Sequence, residues 1–334
     1  MFIPDSYALS VFLCVITMLC WGSWANTQKL ASKSWSFQLF YWDYSVGIIL
    51  LTLIFGFTLG SAGDAGRSFI TDLSQGSSNA FISAFIGGVI FNIANLLIVA
   101  AIDIAGMAVA FPVGIGIALI LGVIVNYIAD PVGDPFLLFS GVGLVALAII
   151  LDALAYRKMT SLDSGTPVKG IVLSIVGGVL MGFFYRFVAA SISPDFITPE
   201  AGLFTPYSAV FVFAIGIFVS NFLWNSIFMY KPVKGDKVSY ADYFSKGDLK
   251  LHTIGVLGGI IWCIGMSLSL IAADKAGFAI SYGLGQGATM VAAAWGVFVW
   301  KEFKDAPASV GRLISLMFFF FITGLALIVY SRLI

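Results

Sequence analysis

Three ionisable side chains, Asp43, Asp152 and Arg186, lie inside long apolar runs. A charge in such a setting is costly unless it is paired or carries chemistry. Asp43, set between Trp42 and Tyr44, is a candidate to bind and release a proton, or else an interfacial acid that reaches a headgroup. Asp152 stands five residues before Arg157, close to the end of its run. It is either a second proton-coupling candidate or a side chain that snorkels to the interface. Arg186 offers several fixed N–H donors that suit a substrate carbonyl or an acid, and it too is long enough to snorkel. Amides form a second set. Asn26 and Gln28 follow Trp21 and Trp24, Asn92 and Asn95 are three apart, Asn221 and Asn225 are four apart, and Gln286 sits within Gly283-Leu284-Gly285-Gln286-Gly287. Spacings of three and four put each pair on one helix face. An amide presents donor and acceptor together, which suits ureides, nucleobases and sugars, though bonds between helices use the same groups. Trp21 and Trp24 beside the polar end of their run are the aromatic residues best placed to stack on a planar solute.

These residues must be positioned by helices in lipid. The chain has 334 residues, 60% hydrophobic and 10% charged, against roughly 25% charged in an ordinary soluble domain. Lipid admits only elements that satisfy their own backbone hydrogen bonds, and a spanning helix needs about 20 apolar residues. Ten spans follow, at about 7–28, 37–60, 79–102, 107–129, 135–156, 168–191, 207–230, 251–273, 277–300 and 308–331. The first lacks a basic leader and a small-residue cleavage site, so it reads as a span rather than a removed signal. Seventeen basic and seventeen acidic residues cancel, which gives no global attraction to nucleic acid. Cys14, Cys20 and Cys263 lack paired spacing and read as packed thiols, with no disulfide, metal or cofactor expected. On one set of alternate connectors lie thirteen Lys and Arg, Lys33 and Lys234 among them, against Arg67, Lys275 and Arg332 on the other. The positive-inside rule puts the first set in the cytoplasm and both termini outside.

The chain also repeats itself. A shift of 171 residues superimposes Gly87-Gly88 on Gly258-Gly259, Asp103 on Asp274, Gly106 on Gly277, Ala108 on Ala279, Gly114 on Gly285 and Gly116 on Gly287. Gly and Ala recur in any apolar helix, so the match of Asp103 with Asp274, each ahead of a Gly, carries most weight. Five spans separate the copies and five is odd, so the second copy is upside down. The expected fold is an all-α membrane protein of ten transmembrane helices in two inverted five-helix repeats, residues 1–160 and 161–334, with the site between them near mid-membrane. Gln286 falls opposite Ile115 under this shift.

Two stretches resemble a known family. Tyr41-Trp42-Asp43-Tyr44-Ser45 with Phe55-Gly56-Phe57-Thr58-Leu59-Gly60, and Asn126-Tyr127, Asp130, Leu138-Phe139, Gly141-Val142-Gly143 and Ala146, are similar to the ureide permeases of plants. That family belongs to the drug/metabolite transporter superfamily, near its glucose, ribose and rhamnose uptake branches. The resemblance implies a ten-span, proton-coupled importer of allantoin- or uracil-like compounds. It also implies a long cytoplasmic centre with a phosphate-loop-like motif; here only Arg157 to Lys169 stand there and no Gly-x4-Gly-Lys-Ser/Thr occurs, so nucleotide binding is not carried over.

The reading is a proton-coupled secondary transporter in a bacterial-type inner membrane, with a small neutral polar solute and protons as its partners. Asp43 and Asp152 couple the proton. Trp21, Trp24, Asn26, Gln28, Asn92, Asn95, Arg186, Asn221, Asn225 and Gln286 bind the solute. A monosaccharide symporter and an exporter of the same fold are the alternatives. Enzyme chemistry is not expected, since the one histidine, His252, has no motif around it. Oligomeric state is not legible, and a monomer is compatible with all of this.

Overall fold

The computed structural model describes residues 1–31, 35–105, 107–159, 168–233, 235–304 and 306–334, with the backbone alone at 107–109 and 111. Lys33, Lys234, Gly106, the side chain of Ala108 and the junction at 160–161 lie outside the described residues. Helix α1 (Tyr7–Ser23) begins at Ser6, whose Oγ accepts the Leu9 N–H at 3.3 Å. After Trp24 it continues as α2 (Ala25–Ala31). Then come α3 (Phe37–Phe57), a short connector helix α4 (Phe69–Gln75), α5 (Ser78–Ala105), α6 (Met107–Ala129) and α7 (Pro135–Met159). The rest comprises α8 (Val168–Ala189), α9 (Pro206–Asn221), α10 (Trp224–Tyr230), connector helix α11 (Tyr240–Lys246), α12 (Leu249–Ala276), α13 (Phe278–Gly285), α14 (Ala288–Ala294), a π turn (Trp295–Val299) and α15 (Ala308–Tyr330).

Among the described residues, nine helical stretches are long and apolar enough to cross a membrane, and no strand forms beyond the isolated Ile192–Phe204 bridge. The protein is an all-α membrane protein. Side chains such as Phe12, Ile54, Phe136, Ile150 and Phe319 face outward, as a lipid-facing surface requires.

The stretch expected as one continuous span over 277–300 is in fact three successive pieces. Gly287 N–H bonds the Leu284 carbonyl at 2.9 Å and Met290 N–H the Gly287 carbonyl at 3.0 Å, three-residue closures that tighten the chain between α13 and α14. Further on, Trp300 N–H reaches back five residues to the Trp295 carbonyl at 2.9 Å. Apolar composition is the same on both sides of these breaks, so hydropathy does not mark them.

Packing follows a paired scheme. Helix α5 lies on α8 and α9, α12 on α1 and α3, α6 on α7 and α8, α13 and α14 on α6 and α1, and α7 on α15. Glycines make the closest of these contacts. At Gly88 an added Cβ would collide with the Phe213 carbonyl of α9, and at Gly259 with the Tyr44 carbonyl of α3, so only a bare backbone permits either approach.

At one end of the molecule the connector holding α4 is locked to the connector between α8 and α9. Arg67 Nε pairs with Asp72 Oδ1 at 2.8 Å, and its Nη atoms donate to the carbonyls of Pro199, Glu200 and Leu203. Asp72 is fully buried, and its Oδ2 accepts the Thr205 N–H at 2.8 Å and hydroxyl at 2.9 Å.

Candidate functional site

A cavity of about 530 Å³ opens at the opposite end. Its deep wall is aromatic: Phe91, Phe184 and Trp262 are buried there, and Trp21 stacks on Trp262 with ring centroids 6.1 Å apart. Its mouth is charged. Lys29 Nζ is 2.9 Å from Glu302 Oε1 and 4.1 Å from the centroid of the Trp300 ring, and Tyr156 donates to Glu302 Oε2 at 2.8 Å.

The sequence candidates divide by place. Trp21, Trp24, Asn26, Gln28, Asn95, Asp152 and Gln286 all line the cavity. Within that group the polar atoms differ in what they already bond. Trp21 Nε1 donates to the Trp262 carbonyl at 3.2 Å, and Asn26 Oδ1 accepts from Trp300 Nε1 at 2.8 Å. Asn95 Nδ2 donates to the Tyr41 hydroxyl at 3.2 Å, which leaves its amide oxygen to the cavity. The side chains of Gln28 and Gln286, the Trp24 indole N–H and the Asp152 carboxylate bond to nothing among the described residues. Trp24 and Gln286 both sit at helix interruptions, the α1–α2 and α13–α14 junctions. Broken helices give a membrane cavity side chains and backbone that a continuous helix would keep for itself. Ile115, the position opposite Gln286 by the 171-residue shift, lines the same cavity.

The other candidates lie elsewhere. Asn92 Nδ2 donates to the Ile217 carbonyl at 3.1 Å and to Ser220 Oγ at 2.8 Å, tying α5 to α9. Asn221 donates to Ser45 Oγ at 3.1 Å, and Asn225 to the Gln38 carbonyl at 2.9 Å. Arg186 is half-buried in the last turn of α8, away from the lining, where a cation complements the helix C-terminus.

Asp43 is buried near the start of α3 and also lies outside the lining. Its Oδ1 accepts from the Tyr243 hydroxyl at 2.5 Å and faces His252 Nδ1 at 2.9 Å, while Oδ2 accepts from Trp35 Nε1 at 3.1 Å. The Trp35 ring meets the His252 ring edge-on at 5.2 Å. Tyr243, on connector helix α11, has its phenol held well above the ordinary range, first by burial and then by the Asp43 carboxylate it donates to. It therefore stays a donor.

Sequence reasoning missed this cluster because Trp35, Tyr243 and His252 come from three elements with no shared spacing. It also missed Tyr156 and Glu302 at the mouth. Tyr156 was within reach, since four residues after Asp152 on a helix is the same face. Among the described residues no group of three or more His, Cys, Asp or Glu is placed to hold a metal ion.

Comparison with known proteins identifies the family. The chain is 22% identical to ureide permease 2 of Arabidopsis thaliana over a gapped alignment of 396 positions, covering 99% of both chains. It is 23% identical to ureide permease 5 of the same plant, over 99% of this chain and 96% of that one. A probable ureide permease A3 of Vigna unguiculata matches 71% of the chain at 22% identity. A solved crystal structure shares the fold at a TM-score of 0.57 with 13% identity, covering 98% of this chain and 99% of that one. Permeases are transporters rather than enzymes. Since the family model described as ureide permease matches residues 40–164 and 157–331, nearly the whole length from α3 onward, the chain belongs to the ureide permease family.

Proposed function

We propose that this protein carries a small neutral ureide or oxo-heterocycle across a membrane together with protons, and that the cavity is where the solute binds. The observation that carries this reading is the set of unengaged groups facing one space: the amides of Gln28 and Gln286, the Asn95 oxygen and the Trp24 indole, against a wall of aromatic rings. Alternating N–H and C=O groups on a planar solute need amides for their edges and aromatic faces for their planes. The volume of about 530 Å³ falls within the roughly 300–1,000 Å³ of small-molecule sites. The names of the relatives favour ureides over the monosaccharide alternative.

Two inverted halves, residues 1–160 and 161–334, would rock around this site. The packing scheme supports that reading: exchanging the first five spans for the last five turns α5 on α8 and α9 into α12 on α1 and α3. Gly88 and Gly259 make equivalent backbone contacts under the same exchange. The cavity mouth lies among Lys29, Trp300 and Glu302, on the side of the basic connectors, so in this conformation the site would face the cytoplasm, with both termini on the other face.

The test is uptake by proteoliposomes containing the purified chain. An inward proton gradient is expected to drive accumulation of labelled allantoin or uracil that a protonophore abolishes. Absence of accumulation for every ureide and oxo-heterocycle tried would refute the proposal.

A further inference from the structure

Among the described residues two carboxylates line the cavity, and they are not equivalent. Glu302 is engaged by Lys29 and by the Tyr156 hydroxyl. Asp152, half-buried on α7 one turn deeper than Tyr156, makes no hydrogen bond or ion pair among the described residues. An unengaged acid at membrane depth is costly, and it faces the same space as the Gln286 and Gln28 amides.

The hydrogen-bonding character of a carboxyl group depends on its proton. Ionised, it offers acceptors only; neutral, it offers one O–H donor beside one acceptor. The planar solutes considered above carry a cis-lactam edge, a ring C=O beside a ring N–H, which is an acceptor beside a donor. A neutral acid matches that edge with two parallel hydrogen bonds. An ionised one sets its lone pairs against the lactam oxygen.

We infer that Asp152 couples proton to solute by pairing, as the neutral acid, with the cis-lactam edge of the substrate, so that the two occupy the site together. This rests on the oxo-heterocycle reading of the cavity. The proton is taken up onto a carboxylate oxygen of Asp152, forms the O–H that donates to the lactam oxygen, and leaves to water once the solute has gone. By linkage, each ligand raises the affinity for the other by the same factor. Among the described residues, the charged and titratable groups that share the cavity lining with Asp152 are Glu302, Tyr156 and Lys29, all at the mouth. From α6 the cavity receives Pro112 and Ile115, and α15, packed on α7, carries Arg312 at its exposed start. Asp43 is excluded from this role by its place outside the lining and its existing partners.

The experiment measures binding of hydantoin and of 1,3-dimethylhydantoin, which has no ring N–H, to the full chain in lipid nanodiscs between pH 5 and 9. Wild-type affinity for hydantoin is expected to fall by about tenfold per pH unit above the titration of the site, with binding of the dimethyl compound weaker at low pH because it lacks the N–H that pairs with the acid's acceptor oxygen. Asp152→Asn, which keeps a donor beside an acceptor, should bind hydantoin equally at all pH values yet fail to accumulate it against a gradient. Asp152→Ala should bind at least tenfold more weakly at low pH. A wild-type affinity that does not vary with pH, or an Asp152→Asn variant that binds as weakly as Asp152→Ala, would overturn the inference while leaving ureide transport standing. Failure of the wild type to bind hydantoin, allantoin or uracil at any pH would remove the underlying reading as well.

Discussion

Asp43 and Asp152 are the same residue type in similar apolar helices, yet their neighbours assign them different work. Three side chains from three elements converge on Asp43, which makes it the anchor of connector helix α11. Asp43→Ala would leave Trp35, Tyr243 and His252 facing no acceptor, at a cost of about 3 kcal/mol for a broken buried cluster. A lowered melting temperature and faster tryptic cleavage at Lys246 are expected; a variant as stable and as resistant as the parent would show that the cluster does not hold α11. The amides divide in the same manner. Gln286→Ala and Trp24→Ala each remove an unengaged cavity group and should raise the hydantoin Kd about tenfold or more, at roughly 1–2 kcal/mol each. Asn92→Ala instead cuts both hydrogen bonds from Asn92 on α5 to α9, so it should lower the melting temperature with little change in Kd. Asn92 and Asn95 explain why sequence could not make this division. Three residues apart, they share a face of α5, and that face spans the boundary between the α9 contact and the cavity edge. Periodicity gives the face and not the neighbour it meets.

At the scale of elements, nine of the ten spans were legible because lipid demands long apolar helices, a constraint that composition reports directly. The interruptions that matter for the site were not. Trp24 and Gln286 stand where α1 and α13 end. The only signal was the glycine-rich run from Gly283 to Gly287, which reads equally well as helix packing. The short helix α4 was also unread, though it bears the buried acid of the closed end. Asp72 accepts from Arg67 and twice from Thr205, so Asp72→Ala leaves a mostly buried guanidinium without its counter-ion and should cost about 3–5 kcal/mol in the closed-end state. Because that loss falls on one conformation, the variant should populate the opposite opening. Cysteine introduced at Ser77 and probed with an impermeant thiol reagent in a Cys-free background should react faster in Asp72→Ala than in the parent; equal rates would show that this latch does not govern the closed end.

For the whole molecule, one end is open onto a cavity of unengaged amides and the other is closed by a buried ion pair. A site reachable from one side at a time is what a secondary transporter requires. The glycines and the Asp pair matched by the 171-residue shift suggest two inverted halves, but the cavity volume was not legible, since it depends on which helices break and how far apart their ends stand. The central claim is that this volume binds the solute that is carried. Counterflow isolates it from coupling and from driving force. Proteoliposomes preloaded with unlabelled allantoin should take up labelled allantoin transiently through the parent chain, and at least about tenfold more slowly through Gln286→Ala combined with Trp24→Ala. Undiminished counterflow through that double variant, with the protein shown to be folded, would place the permeation site elsewhere and contradict the account.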